Sequence, residues 1–170
     1  PAPAPAPPVT PCFDQNTMIL CPNGYVCVKN LNVGDEVVTY KHGNKKIKRI
    51  GTATHIFNID DDYKVTMFRM KKTNSMTDDL VVTGRHAILL DNWSTHKHED
   101  QRNEAPSTKI DNKFPLIACL CNKFETELDV KEYTIFHFSL EGEETRYGVC
   151  ANGVLMESWD SQSSKSLLDN

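Results

Sequence analysis

The most reactive pattern in the sequence is a cysteine that directly follows a proline at the end of a low-complexity segment. Cys12 is joined through its own amide nitrogen to the carbonyl carbon of Pro11. Attack of its thiolate on that carbonyl closes a five-membered ring, so the chain itself holds the two reacting groups together. The thioester that forms is less stable than the amide, so the step needs a proton for the departing nitrogen and donors for the oxyanion. We therefore take Cys12 as a candidate nucleophile and Pro11-Cys12 as its scissile bond.

His86 is a natural proton donor for this step, because imidazole titrates near neutral pH. Thr83 stands three residues before it, inside an apolar run. Both Cys12 and His86 also have a plainer interpretation. A cysteine near a strand is often a small buried hydrophobe, and a histidine among apolar residues is usually a hydrogen-bonded core residue. The position of Cys12 at the start of the folded region favours the chemical interpretation of both.

Composition argues against two classes of partner. The chain has 170 residues and a net charge of -4, with acidic and basic residues interspersed. No single-sign block is present to attract nucleic acid or an anionic membrane surface, and no apolar run approaches the ~20 residues of a membrane helix. We expect neither partner. The six cysteines need not form a disulfide framework, and Cys12 must be a free thiol to react. The compartment is left open.

Residues 1–11 are predicted to form a linker that ends an upstream segment. Their alternating Pro and Ala residues favour the stiff polyproline II conformation and offer nothing to bury. A disordered tail is the alternative interpretation. At the other end, the polar residues 159–170 predict a flexible tail. Residues 92–112 are also polar and predict a surface loop.

From residue 17 onwards the pattern is typical of an all-β domain. Short runs rich in β-branched and aromatic residues alternate with links that contain Gly, Asn or Asp, and Asn23-Gly24 predicts a tight turn. No window has a helical repeat of helix length, which favours a sandwich or a curled, barrel-like sheet. The predicted strands are 17–20, 25–28, 36–40, 64–70, 79–83, 87–90, 116–121, 130–140 and 147–156.

Three segments, in order, resemble the Hint (hedgehog/intein) superfamily of autoprocessing domains. The second segment, 81–88, holds a Thr-x-x-His block, and the third, 133–140 followed by 147–155, resembles the closing blocks of the family. The resemblance implies the all-β Hint fold over residues 12–158, with compact curled sheets and pseudo-twofold symmetry. It also implies that the Thr83 hydroxyl holds the scissile peptide in position. The first segment resembles the opening block and comprises Cys12-Phe13, Thr17-Met18-Ile19, Gly24, Leu31 and Gly34-Asp35-Glu36-Val37.

The resemblance also draws attention to acidic and imidazole side chains in the middle of the chain. His137 stands where many inteins carry an aspartate that assists cleavage, so it is either an acid or base or a structural strand histidine. Asp60, Asp61 and Asp62 lie near the place where hedgehog-type domains carry an acid that helps to activate the incoming nucleophile. A solvated turn is the alternative. We keep Asp60 and Asp61 as auxiliary candidates.

The closing block departs from the splicing pattern. Splicing inteins end in His-Asn followed by Cys, Ser or Thr, and the asparagine amide cyclises to release the downstream chain. Here Met156-Glu157 stands in that place, followed by Ser158. A carboxylate has no nucleophilic amide nitrogen, so full splicing is not expected. Ser158 is a further auxiliary candidate as an acceptor of the acyl group, although nothing in the sequence shows how its hydroxyl is activated.

Two segments contain residue types that could bind a metal ion. His96-Lys97-His98-Glu99-Asp100 and Cys119-Leu120-Cys121 contain residue types that zinc accepts, but neither has a finger-like or metalloprotease spacing. We expect no metal and no other cofactor.

The sequence therefore predicts a single-turnover autoprocessing domain. We expect it to be a monomer whose substrate is its own upstream polypeptide, with water, a thiol, an amine or an alcohol as the external nucleophile. Two alternatives stay open at this point. One is a degenerate Hint fold that serves as a structural or binding module, and the other is a trans-acting cysteine hydrolase.

Overall fold

The computed structural model describes residues 11–58, 66–92 and 108–162. These ranges contain thirteen short to medium β-strands and two 3-10 helices, at Val28–Asn30 and Ala118–Leu120. The strands are β1 Phe13–Asp14, β2 Met18–Cys21, β3 Gly24–Cys27, β4 Glu36–Val38, β5 Asn44–Ile56, β6 Met67–Met70, β7 Leu80–Thr83, β8 Ala87–Leu90, β9 Phe114–Ile117, β10 Glu125–Thr126, β11 Glu132–Leu140, β12 Gly148–Ala151 and β13 Val154–Glu157.

The strands form two antiparallel sheets. The larger sheet has the order β10-β6-β7-β1-β11-β5-β4, and the smaller has the order β3-β2-β12-β13-β8-β9. β7 and β8 are neighbours in sequence but belong to different sheets, as do β1 and β2. The chain therefore crosses between the sheets immediately after Phe13-Asp14 and immediately after Thr83. The all-β prediction is confirmed.

The longest strand, β5, was missed by the sequence analysis. It pairs with β11 over nearly its whole length, from Glu132 opposite Ile56 to Leu140 opposite Ile47. Most of its side chains are exposed or half-buried, and Ile47 is its one buried large apolar residue. A search for apolar alternation does not find such a strand, because its pairing is determined by β11 rather than by its own side chains.

Other boundaries differ locally from the expected ones. The predicted strand 116–121 ends at Ile117, and Ala118–Leu120 forms a 3-10 turn instead. The predicted strand 147–156 is a hairpin of β12 and β13, because Asn152 and Gly153 have positive φ values of 49° and 86°. An Asn-Gly pair with this backbone is a usual two-residue hairpin turn.

The core consists of one large and one small cluster of buried apolar side chains. The large cluster joins the two sheets and includes Phe13, Ile19, Leu80 and Val149. The small cluster, here called the Cys12 cluster, lies apart from it and comprises Cys12, Phe57, Met67, Val81, Tyr133 and Ile135. The candidate nucleophile is therefore part of a packed apolar layer.

The beginning of the expected flexible tail is packed against the domain. Trp159 and Ser161 are buried, the Trp159 amide donates to the Phe138 carbonyl (2.9 Å), and the Ser161 amide donates to the Thr145 carbonyl (2.8 Å). The expected tail boundary after residue 158 is thus wrong for residues 159–161. An indole that buries its large apolar surface accounts for the difference.

None of the helices in the described ranges is long and apolar enough to cross a membrane. All six cysteines lie in these ranges, and each is a free thiol.

The turn of the closing hairpin generates a stability prediction. A Cβ at Gly153 would lie 2.4 Å from the Ser75 carbonyl oxygen, in addition to the positive φ of this residue. We expect Gly153→Ala to destabilise the domain by about 2 kcal/mol or more, since backbone strain and a steric clash add together.

Gly43→Ala is the matched control for this substitution. Gly43 also has a positive φ, of 70°, but a Cβ there meets nothing within 4 Å, so it should cost only about 1 kcal/mol. Urea unfolding of both variants measures the difference. Equal losses at the two positions would mean that the contact with Ser75 does not matter.

Candidate functional site

Cys12 directly precedes β1, which lies between β7 and β11 in the larger sheet. β1 pairs with β7 on one side and with β11 on the other, and Phe13 lies opposite Val82. This register brings Cys12 next to Thr83. The Cys12 amide donates to Thr83 Oγ1 (2.9 Å), and the Thr83 amide donates to the Cys12 carbonyl (3.0 Å). The nitrogen of the peptide bond between Pro11 and Cys12 is thereby held in place by the Thr83 hydroxyl.

A tight turn accounts for the spacing between Thr83 and His86. The His86 amide donates to the Thr83 carbonyl (3.0 Å), which closes a four-residue turn at the end of β7. The His86 ring packs on Phe13 with their centroids 4.1 Å apart, and its Nε2 lies 2.9 Å from the Glu157 carbonyl oxygen. The Thr-x-x-His block thus places a hydroxyl and an imidazole at the same end of β1.

His86 has a defined tautomer in its neutral form. Burial lowers the pKa of His86, while contacts with the backbone of Glu157 and Cys12 oppose that shift. Because a carbonyl oxygen only accepts, we assign the ring proton to Nε2, which donates to Glu157. Nδ1 then carries a lone pair, and it has no hydrogen-bond partner among the described residues. This buried nitrogen is free to accept a proton.

The Cys12 thiol lies in apolar surroundings. The residue is fully buried in the Cys12 cluster, next to side chains such as Met67 and Ile135. Burial raises the pKa of Cys12 well above its usual range. The sulfur is therefore a protonated thiol at rest, and a reaction at this sulfur must remove the proton as the new bond forms.

Glu157 reaches the site from the last strand. Its carbonyl accepts from His86, and its side-chain Oε1 accepts from the Ala87 amide (3.1 Å). Oε2 lies 3.4 Å from Nη1 of Arg146. Burial raises the pKa of Glu157 to about 7, although the Arg146 charge and the Ala87 amide act in the opposite direction and Asp160 adds to the increase. The carboxyl is thus partly protonated near neutral pH.

Ser158 is buried beside Tyr147. The Tyr147 amide donates to Ser158 Oγ (2.9 Å), and the Ser158 amide donates to the Tyr147 carbonyl (2.8 Å). Both contacts fix the end of the closing strand.

His137 lies on β11, opposite Gly51 of β5. Its ring packs on Trp159 with centroids 4.2 Å apart, and the Arg49 guanidinium lies over the same indole. Burial lowers the pKa of His137 to about 4, and the charges of Arg49 and His86 add to this decrease. A neutral imidazole therefore stands within electrostatic range of His86, in a site that disfavours positive charge.

The remaining candidates are placed only in part. Asp60 and Asp61, with the neighbouring Asp62, lie outside the described residues, as does the segment from His96 to Asp100. Cys119 and Cys121 are buried in the large core cluster. In the part of the chain that the structure describes, there is no group of three or more His, Cys, Asp or Glu side chains arranged to hold a metal ion.

The sequence model of the Hint domain matches residues 11–162. The chain belongs to the Hint domain family. It is therefore, in general terms, a self-processing domain related to protein splicing. No curated protein matches the chain.

Solved structures share the fold of this Hint domain at low sequence identity. The bacterial intein-like domain from Clostridium thermocellum has a TM-score of 0.54 at 14% identity and covers 86% of this chain and 97% of its own. The MchDnaB-1 intein has a TM-score of 0.51 at 9% identity, covering 86% and 98%. The Msm DnaB1 intein splicing domain, solved with zinc bound, has a TM-score of 0.50 at 9% identity, covering 87% and 99%.

Some residues of the Hint domain site were not identified from the sequence. Phe13 packs against the His86 ring. The sequence indicated only that Glu157 lacks a side-chain amide, and it indicated neither the contacts of the carboxylate nor the neighbouring Arg146. The signal for Phe13 was its place directly after the candidate nucleophile. No local pattern indicated the contact between Arg146 and Glu157, because they lie on opposite sides of a hairpin.

Glu157→Gln should stabilise the Hint domain at alkaline pH. The folded pKa of about 7 exceeds the ordinary 4.5, so the folded state binds the proton more tightly than the unfolded state. Native stability therefore falls as the pH rises from 4.5 through 7, by about 3 kcal/mol in total. Glutamine keeps an oxygen for the Ala87 amide and does not ionise.

Urea unfolding at about pH 4 and about pH 8 measures this effect, with both proteins in a Cys12→Ala background that lacks the candidate nucleophile. The two proteins should be similar at low pH, and the glutamine variant should be more stable at high pH. A difference that does not change with pH would rule out titration of Glu157.

Proposed function

We propose that this Hint domain cleaves its own chain at Pro11-Cys12 through an N-to-S acyl shift. The Cys12 sulfur forms a bond to the Pro11 carbonyl carbon, and the bond from that carbon to the Cys12 nitrogen breaks. The proton lost by the thiol is balanced by the proton that the departing nitrogen gains. The products of this step are a thioester and a free α-amine on Cys12.

The observation that carries the proposal is the hydrogen bond from the Cys12 amide to Thr83 Oγ1, at 2.9 Å. This amide belongs to the scissile bond, and a hydroxyl oxygen in this position holds the peptide in one orientation. Fixed orientation of reacting groups is a large source of rate enhancement. Within the same turn, His86 supplies the acid-base group.

In this proposal His86 first accepts a proton and then delivers it. The resting Nδ1 has a lone pair that can take the thiol proton as sulfur attacks. Because burial lowers the pKa of the ring, the protonated imidazole is a strong acid that gives this proton to the Cys12 nitrogen as that nitrogen leaves.

An external nucleophile then resolves the thioester. Water gives a Pro11 carboxylate and restores the thiol, whereas a thiol, amine or alcohol leaves an adduct on the upstream protein. Asp60, Asp61 and His137 are candidates for assisting this step. Ser158 is a weaker candidate, since its hydroxyl accepts the Tyr147 amide in a buried position.

The proposal excludes full splicing on chemical grounds. Glu157 stands at the cyclising position and has no side-chain amide. Asn152, in the turn of the closing hairpin, uses its side-chain amide to hold that hairpin. Its Oδ1 accepts from the Met18 amide (2.7 Å), and its Nδ2 donates to the Asp79 carbonyl (2.9 Å). A conformational change would be needed before Asn152 could cyclise.

The two alternatives differ in how they fit the burial of the site. A trans-acting hydrolase needs a thiol that a separate peptide can reach, and both Cys12 and His86 are buried. Burial therefore argues against it. The apolar environment of Cys12 keeps its thiol protonated, which favours an inert structural module. Release of a fused reporter distinguishes this module from the proposed function.

A folded reporter fused before Pro1 should be released at Pro11-Cys12. Dithiothreitol or hydroxylamine should accelerate release, because both attack thioesters, and intact mass should identify the cleavage point. The Cys12→Ala variant is the matched control. Undiminished release from Cys12→Ala would contradict the proposal, and no release from the native sequence with either reagent would favour the inert module.

His86→Ala should slow release by about 100- to 10,000-fold, the range that is typical of general acid-base catalysis. The domain should remain folded, as judged by circular dichroism and urea unfolding. A folded variant with an unchanged rate would assign His86 to the core instead of the reaction.

With folded reporters at both ends, the upstream reporter should be freed while the domain stays attached to the downstream one. The physical reason is that Glu157 cannot form the cyclic imide that releases the downstream chain. A ligated product of the two reporters, confirmed by tandem mass spectrometry across the junction, would contradict this prediction.

A further inference from the structure

Glu157 is a buried acid whose presence the proposed reaction does not explain. Burial raises its pKa to about 7, so its ionised form is destabilised inside the fold. Its partner Arg146 lies at 3.4 Å and is itself partly exposed, so it compensates the buried charge incompletely. A neutral residue would avoid this cost.

The contacts of Glu157 are concentrated on His86 and Ala87, two consecutive residues. The Glu157 carbonyl oxygen accepts from Nε2 of the His86 ring, at 2.9 Å. The Glu157 carboxylate accepts from the backbone amide of Ala87, at 3.1 Å. The first contact orients the ring, and the second holds the backbone immediately after it.

The contact with the Ala87 amide is not supplied by the pairing of the neighbouring strands. β13 pairs with β8 through Met156 opposite Ile88. That pair leaves the first residue of β8, Ala87, to be held at its amide by the side chain of Glu157. The carboxylate thus extends the junction of β8 and β13 by one residue, to the point where His86 begins.

We propose that Glu157 is a positioning residue that holds the His86 imidazole in one orientation and one tautomer at the Cys12 site. This inference rests on the proposed function and adds a role that the closing residue performs without cyclising. The residue that prevents splicing thereby supports the upstream cleavage. In this proposal, Glu157 at the end of the domain positions a catalytic group for the bond at Cys12, at its beginning.

The test compares Glu157→Gln with Glu157→Leu, since both have nearly the size of glutamate but only glutamine keeps an oxygen acceptor. With a reporter before Pro1 and hydroxylamine as the trap, Leu should slow the Cys12-dependent release by about 100-fold, the effect of misplacing a reacting group by about 1 Å. Gln should recover most of the rate. Glu144→Leu, on the exposed loop before β12, is the control for a lost acid.

A spectroscopic measurement separates positioning from a general loss of stability. In the Cys12→Ala background, the ¹⁵N signals of the His86 ring should report one tautomer, protonated at Nε2. Glu157→Leu should give a mixture of tautomers, and Glu157→Gln should retain one. A native release rate in folded Glu157→Leu, or equally slow release in both variants, would overturn the inference.

If Glu157→Leu fails to fold, a pH titration of the Cys12→Ala protein decides. The chemical shift of the Ala87 amide should follow the ionisation of the Glu157 carboxyl. The ¹⁵N shifts of the His86 ring should show a transition with the same midpoint. The charged groups near Glu157 are Arg146 and Asp160, and the titratable group near His86 is His137. Arg146→Met should move both midpoints upward together, and a His86 signal that does not follow Glu157 would overturn the inference.

These outcomes are distinguishable from failure of the proposed function. If Cys12→Ala releases the reporter as fast as the native sequence, the acyl shift itself is wrong. If release depends on Cys12 and on His86 but not on Glu157, only the positioning role is wrong. Because glutamine introduces a side-chain amide, intact mass must also show whether the chain is cut after residue 157.

Discussion

The hydrogen bonds between Cys12 and Thr83 are the constraint on which the rest of the site depends. β1 is only two residues long, yet it lies between β7 and β11 in the larger sheet. Its preceding residue, Cys12, is fully buried, so the amide of that residue requires a partner. The Thr83 hydroxyl supplies it. An unpaired buried amide costs about 1–3 kcal/mol, so the same contact that orients the Pro11-Cys12 peptide also contributes to stability.

Burial is the main cause of the pKa shifts of four titratable groups at the site. It raises the pKa of Cys12, lowers those of His86 and His137, and raises that of Glu157 to about 7. Each shift favours the neutral form. In the proposed reaction, a proton that moves from the thiol to the imidazole and then to the departing nitrogen therefore creates charge only transiently. Exclusion of water from the buried site also fits the proposed reaction, because it limits premature loss of a thioester.

The sequence predicted the residues that local spacing brings together and missed those that distant strand pairing brings together. The Thr-x-x-His spacing of Thr83 and His86 corresponds to a turn that one hydrogen bond closes, so a local pattern was sufficient. β5 was missed because its side chains are mostly exposed and its pairing depends on β11. Trp159 was assigned to a tail because the polar residues after it resemble one, while its indole is buried against His137. The contact of Glu157 with Ala87 joins residues 70 positions apart, and no single-segment pattern contains that information.

The closing strand contributes to the site through two parts of the same residue, Glu157. Cyclisation requires a side-chain amide at position 157, and glutamate lacks one. The Glu157 carbonyl accepts from the His86 ring, and the Glu157 carboxylate accepts from the Ala87 amide. β13 lies between β12 and β8, so strand pairing positions the carbonyl, while the side chain holds the backbone immediately after His86. A glutamate at this position is therefore compatible with the fold and with the His86 contacts. This arrangement fits the proposed upstream cleavage, in which Glu157 does not have to cyclise.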